Sequence, residues 1–276
     1  MTFAVKELRD YPVSKVCLLL KLHISTYYDW LRKGVRHAEY TEEDCQAVYN
    51  KFVEHHGSFG RRVLKVELAK AKIFMSENKI SRIMKQLQLV PKYGRRKGKN
   101  VYTSKTTEKY IRENLFAQLT TEEREAKEIW SMDFTEQKIR GKKIYTCGII
   151  SVNSKILVGY SQSRKCTTEL AVKTVMKAVE EYGVPDMIMT DRGSQFTSKE
   201  FYDMMVRLTV AHSMSRPHKP VDNRFIETFW KSMKVELGKL HLLNEAMYRM
   251  VVDYYMYYYN NLRPHGTLGY KPPLAA

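Results

Sequence analysis

Apolar residues recur along this chain with two different periods. Up to about residue 90 they repeat every three or four positions, the spacing of a helix face. Val13, Val16, Cys17 and Leu20 form a first set, and Leu22-His23-Ile24 reads as a turn. Ser25 is a plausible N-cap for a second short helix through Tyr28 and Leu31, closed by Gly34. The pair has the size of a helix-turn-helix and equally that of an ordinary helical hairpin. Three further helices are expected, from about Thr41 to His55, from Arg62 to Ala71 and from Ser76 to Leu87, the last with Ile80, Ile83, Met84 and Leu87 on one face. Pro91 ends that unit.

From about Glu128 the pattern shortens to strand-like runs, 128–139, 143–152 and 156–162, with Gly141-Lys142 as a tight hairpin turn. Thr167 to Tyr182 reads as an amphipathic helix stopped by Gly183 and Pro185. A strand at 187–190, a helix from Ser198 to Leu208, a strand at 211–215 and a helix from Val221 to Leu237 follow. The order βββαβαβα predicts a mixed sheet with helices on its faces, an α/β core. A last helix, 244–260, is crowded with tyrosine. The expected domains are 1–38 (helix-turn-helix-like), 39–91 (helical), 92–127 (linker), 128–243 (α/β core) and 244–276 (helix and tail packing on the core).

Charge sharpens this picture. The net charge is +17 over 276 residues, and residues 1–110 hold 23 Lys+Arg against 11 Asp+Glu. Such an excess points to a polyanion, with nucleic acid the commonest, gripped mainly by the N-terminal part. Arg61, Arg62, Arg82 and Lys85 are candidates to face phosphates, though a solvated basic face also explains them. Residues 92–99 carry five positive charges and two glycines, a flexible basic linker whose Arg95, Arg96 and Lys97 suit a DNA backbone. The four cysteines are scattered without a C-x-x-C pair, which removes zinc-finger spacing and fits a reducing cytoplasm. His55-His56 lacks suitably placed cysteines, so a zinc module is rejected. Met1–Asp10 mixes charges and has no apolar run, unlike a signal peptide, and no run approaches a membrane span.

Three acids stand in distinct settings: Asp133 within a strand, Asp191 at the end of one, and Glu227 on a helix, separated from Asp191 by 35 intervening residues and standing seven positions before Lys234. Carboxylates from two strands and a helix can converge, and their oxygens suit hard divalent ions. Two such ions can clamp the attacking and leaving oxygens of a phosphodiester. On the last core helix Asn223, Glu227, Lys231 and Lys234 fall on one face, beside an apolar stripe of Ile226, Trp230, Met233 and Leu237. A surface salt bridge between Glu227 and Lys231 would explain those two residues but not the two aspartates.

The local text around these acids resembles a family. Trp130-Ser131-Met132-Asp133-Phe134-Thr135, Thr190-Asp191-Arg192-Gly193-Ser194-Gln195-Phe196 and the stretch Ser215–Leu237 are similar to the three motifs of retroviral integrases and DDE transposases, which share a ribonuclease H-like fold. Tyr259-Asn260-Asn261-Leu262-Arg263-Pro264-His265 with Leu268-Gly269-Tyr270 resembles the C-terminal signature of bacterial insertion-sequence transposases of the orfB type. The resemblance spans nearly the whole chain.

It implies that Asp133, Asp191 and Glu227 bind two Mg²⁺ (or Mn²⁺, which the same oxygen ligands suit) to cut and join DNA strands, water attacking first and a 3′-hydroxyl second, with no covalent enzyme–DNA intermediate. It also implies DNA ends and target as partners, a homo-oligomer that pairs ends, a nucleoid location, and often a frameshift-fused upstream segment. Asn223, Lys231, Lys234, Ser194, Gln195, Arg263 and His265 are candidate DNA contacts, with capping open for Ser194 and Gln195 and helix closure for the tail. Tyrosine packing is weighed against base stacking in the last helix. The rival functions are a non-catalytic regulator of transposition and a structure-selective nuclease.

Overall fold

The computed structural model describes residues 12–19, 23–25, 27–28, 40–92, 110–216, 223–238 and 240–276. Of the first helix pair, α1 (Val13–Leu19) buries Val16 and Cys17 against Tyr27. Ser25 does not cap the second helix. It lies inside the helical turn, its hydroxyl 2.7 Å from Nδ1 of His23. The expected linker arginines, Arg95 and Arg96, and Lys97 lie outside the described residues.

Three helices then form one small core. They are α2 (Glu42–Glu54), α3 (Arg61–Lys70) and α4 (Glu77–Gln86). Thr41 and Asp44 close a reciprocal capping box on α2, and the Ser76 hydroxyl accepts from the Lys79 N–H on α4. Val48, Phe52, Leu64, Leu68, Ile80 and Ile83 meet between them.

Residues 110–127 depart from the linker expected there. Met214 N–H donates to Glu113 O at 3.1 Å and Phe116 N–H to the Ser213 hydroxyl at 3.1 Å, so this segment lies along a sheet edge. Its short helix α5 (Thr121–Ala126) carries a capping box from Thr120 and Glu123. Leu115, Phe116 and Leu119 also pack against Ile129, Met187 and Met189, and three apolar residues within one short turn are too few to announce this docking in the sequence.

The sheet contains β1 (Ile129–Ile139), β2 (Lys142–Ser151), β3 (Leu157–Ser163), β4 (Met187–Thr190) and β5 (Ala211–Met214), in the order β3-β2-β1-β4-β5. The first three pair antiparallel, while β4 runs parallel to β1 and β5 to β4. The turn between β1 and β2 is Arg140-Gly141, one residue earlier than expected, with both φ positive at 45° and 84°. That is the twist a two-residue hairpin needs.

Helices α6 (Thr168–Tyr182) and α7 (Lys199–Arg207) cover one face, and α8 (Arg224–Leu237) and α9 (Glu245–Asn261) the other. This mixed sheet between helical layers is the ribonuclease H-like arrangement that the resemblance implied. The tyrosines of α9 divide. Tyr248, Tyr255, Tyr258 and Tyr259 are buried in the core, while Tyr254 and Tyr257 are exposed.

The helical unit docks on the α8–α9 side. Lys92 Nζ donates to the Glu236 carbonyl at 2.7 Å, and His55 Nδ1 lies 3.0 Å from the Tyr258 hydroxyl. At this junction the structure corrects Arg263, expected near phosphate. Its guanidinium is buried, reaches Glu236 at 2.8 Å and lies over the Phe59 ring. The Tyr255 hydroxyl donates to the same Glu236 carboxylate. His265 is half-buried in the tail, with Nδ1 3.0 Å from the Thr267 hydroxyl and its backbone N–H donated to the Lys271 carbonyl at 3.1 Å, and burial, with Arg263 and Lys155 nearby, pulls its pKa down to about 4.

Glu236→Ala leaves the Arg263 charge buried without its carboxylate. It is expected to lower the unfolding free energy by about 3–5 kcal/mol, read as a fall in the urea midpoint. Arg263→Ala should act likewise. Loss of DNA affinity in that variant at unchanged stability would instead restore the contact reading.

Candidate active site

Strand alternation decides what each side chain of β1 meets. Trp130, Met132 and Phe134 pack toward α6 and α7, so Ser131, Asp133 and Thr135 face α8. Ser131 pairs with Met189 of the parallel strand β4. Two residues further along each chain stand Asp133 and Asp191, the latter just past the end of β4. Adjacent strands lie roughly 4.8 Å apart, which makes these carboxylates neighbours. Glu227 comes from the first turns of α8, over the same face.

The charges register one another. Desolvation and then the Asp191 charge hold the Asp133 carboxyl well above the usual range, and Glu227 adds to this. Glu227 is raised by desolvation and by Asp191. Asp191 is raised by desolvation, eased by the Gly193 N–H that donates to its Oδ1 at 2.8 Å. Asp191 and Glu227 still keep surface open to solvent and Asp133 is half-buried, so protein crowding from one side rather than full enclosure sets these shifts. Lys234, exposed overall, has its pKa pulled down by partial burial, against which the Asp133 and Glu136 charges act.

Among the described residues no three His, Cys, Asp or Glu side chains are drawn tightly enough together to form a finished metal cage. The three acids are within electrostatic reach, and their mutual repulsion opposes closer approach. Their donor set fits a hard divalent ion, because it is all carboxylate oxygen. The nearby thiol does not compete. Cys166 is pushed up to about 11, first by burial and also by Asp133 and Asp191, so it stays protonated.

Neutral packing holds the acids in place. Gly148 is the cross-strand partner of Asp133, and a Cβ there would lie 2.7 Å from the Trp230 ring. The absent side chain lets α8 settle onto the strand beside Asp133. Behind Asp191, the Thr190 hydroxyl donates to the Asp191 carbonyl at 2.8 Å and stands 2.9 Å from His212 Nε2. Burial pulls His212 down to about 4, so this neutral ring supplies an Nε2–H to the hydroxyl.

The other expected site residues scatter. Lys231 and Lys234 are exposed on α8 next to Glu227. Ser194 is exposed after Asp191. Gln195 is half-buried and donates to the Cys166 thiol at 3.0 Å. Arg61 and Arg62 share Glu77 at 3.3 and 3.9 Å, and Arg82 and Lys85 are exposed on α4. Asn223 corrects its expected place on the DNA-facing side. It is 3% exposed, with its amide bonded to β1. A helix face read from spacing alone missed this because Asn223 sits at the helix end, where the chain turns inward. Gly148, Thr190 and His212 were not singled out either. A glycine inside a strand was the one usable signal among them.

The chain is similar in sequence to known proteins. The family model described as Integrase core domain matches residues 123–220, and a second of the same description matches 208–273. An HTH-like domain model matches residues 39–97. The transposase for insertion sequence element IS904 of Lactococcus lactis is 30% identical over 245 residues, covering 85% of this chain and 92% of that protein. The 31 kDa protein of insertion element IS600 of Shigella sonnei is 25% identical, covering 94% and 96%. Transposase InsF for IS3A of Escherichia coli is 22% identical, covering 98% and 96%. Among solved structures, the HTLV-2 integrase catalytic core in complex with magnesium aligns over 54% of this chain and 94% of its own, at 20% identity and TM-score 0.44.

Asp133→Asn removes a carboxylate that its neighbours repel. The folded pKa of Asp133 is raised, so the charged form is destabilising at neutral pH and this penalty disappears as pH falls through that pKa. The variant should therefore melt several degrees higher than wild type in EDTA at pH 7, with the gap closing toward acid pH. A lower melting temperature at every pH contradicts this. Gly148→Ala forces Trp230 away from the strand and should cost about 1–3 kcal/mol in chemical denaturation.

Proposed function

The chain belongs to the orfB-type insertion-sequence transposases, polynucleotidyl transferases with an integrase core, and we propose that Asp133, Asp191 and Glu227 are its catalytic carboxylates, holding two divalent ions to cut and join DNA strands. The observation that carries this reading is the mutual electrostatic engagement of three acids delivered by two strands and a helix. A fold gains no stability from three converging like charges, so a function is the natural account of them.

Two Mg²⁺, or Mn²⁺ by the same ligand chemistry, would clamp the attacking and leaving oxygens of a phosphodiester and offset its charge. Asp133 supplies a carboxylate fixed mid-strand. Asp191 supplies one aimed by the Gly193 N–H, and Glu227 closes the third side from α8. None of them attacks phosphorus. A water cuts the strand end first, and the freed 3′-hydroxyl then attacks a second phosphodiester.

Lys231 and Lys234 line the exposed side of α8 and suit phosphates near the scissile bond. Ser194 and Gln195 flank the site on the other side, and Gln195, held by Cys166, is the less available of the two. Arg61, Arg62, Arg82, Lys85 and the segment with Arg95, Arg96 and Lys97 form the sequence-independent grip on DNA. Pairing of two element ends calls for a homo-oligomer, and an upstream frameshift-fused segment would complete end recognition.

The test is strand cleavage and joining on a labelled element-end duplex with Mg²⁺, by this chain alone and fused to the upstream segment. Glu227→Gln should cut at least about a thousandfold more slowly with DNA affinity intact, equivalent to roughly 4 kcal/mol of lost transition-state stabilisation. Binding without cleavage by both wild-type forms would identify a regulator. Cutting without joining would identify a nuclease.

A further inference from the structure

We infer that Asn223 is a positioning residue that sets where Glu227 stands relative to Asp133, through two hydrogen bonds from α8 to β1. The inference rests on the proposed role of the three acids.

Asn223 occupies the N-cap of α8. An asparagine there ordinarily accepts a bond from an N–H of the first helical turn, worth about 1 kcal/mol to the helix. This one makes no such bond. Its Oδ1 accepts instead from the Ser131 hydroxyl at 2.6 Å, and its Nδ2 donates to the Met132 carbonyl at 3.2 Å. Ser131 and Met132 are the two residues just before Asp133, and Glu227 lies one helical turn after Asn223. A single buried amide thus ties the strand beside one acid to the turn that carries another.

The chemistry singles out an amide. The site needs an acceptor for the Ser131 hydroxyl and a donor for the Met132 carbonyl from one short side chain, and asparagine offers both. An ionised aspartate would set a second oxygen against that carbonyl. Alanine would leave a buried hydroxyl and a buried carbonyl with fewer partners.

Two contacts then divide the work along α8. Trp230 against Gly148 fixes how deeply the helix sits on the sheet, and Asn223 fixes its position along β1. A group displaced by about 1 Å from its productive geometry can lose on the order of a hundredfold in rate.

The test uses the full chain as wild type, Asn223→Ala and Ser131→Ala, each assayed well below its melting temperature. Four quantities are read: melting temperature, affinity for the element-end duplex, single-turnover cleavage across Mg²⁺ concentrations, and the rise in melting temperature on adding Mg²⁺ without DNA. Both variants should bind DNA within about twofold of wild type. Each should cut about tenfold to a hundredfold more slowly, need several-fold more Mg²⁺, and lose part of the Mg²⁺-induced rise.

Ser131→Ala removes one bond and adds no charge, so it decides the matter should Asn223→Ala fail to fold. A lower melting temperature with unchanged rate and Mg²⁺ requirement would make Asn223 merely structural and overturn the inference. Weaker DNA binding with an unchanged rate per bound complex would overturn it in favour of a DNA contact. Wild-type protein that cuts while the variants match it overturns this inference alone. Where the chain alone does not cut, all three proteins are assayed fused to the upstream segment, and a wild type that cuts in neither form removes the role of the acids, and this inference with it.

Discussion

Three carboxylates repel one another, and the rest of this fold is arranged so that they cannot move apart. Asp133 is held inside a strand paired on both sides, with Gly148 across from it and β4 alongside. Asp191 is stopped at the end of β4, its backbone bonded to Thr190 and its carboxylate to Gly193. Glu227 rides on a helix pressed to the sheet by Trp230. Desolvation raises the pKa of all three acids, and the Asp191 charge adds to it at Asp133 and Glu227. Local rules are broken where function asks for it, and the surrounding apolar packing compensates.

Helix α8 joins this strained end of the molecule to a satisfied one. Nine residues after Glu227 comes Glu236, whose carboxylate is neutralised by Arg263 and whose carbonyl receives Lys92. At about 1.5 Å per residue the two glutamates stand roughly 13–14 Å apart along one rod. The helical unit that would hold DNA is docked at the Glu236 end and the acids are at the other. Both therefore share one rigid element.

Most elements were legible because their signals are local. Thr41, Ser76, Thr167, Ser198 and Asn244 cap the helices they precede, and Gly183 ends α6 with a positive φ. The strand order of the acids was legible as well, since the βββαβαβα sequence leaves few ways to build the sheet. What escaped was long-range and polar. Arg263 and Asn223 look like surface groups in sequence, and only their partners Glu236 and Ser131, distant along the chain, draw them inside. The docking of residues 110–127 escaped as well, because it combines hydrogen bonds to β5 with a single short apolar turn, Leu115, Phe116 and Leu119, that no extended pattern announces.

The central claim is that the acids exist to bind divalent ions at one point. Anomalous X-ray scattering from crystals of the full chain soaked in Mn²⁺ tests it most directly. The account predicts Mn²⁺ density bridging Asp133 and Asp191, with Glu227 drawn in as a further ligand. Mn²⁺ density elsewhere on the chain, or the three carboxylates remaining without it at saturating Mn²⁺, would contradict it.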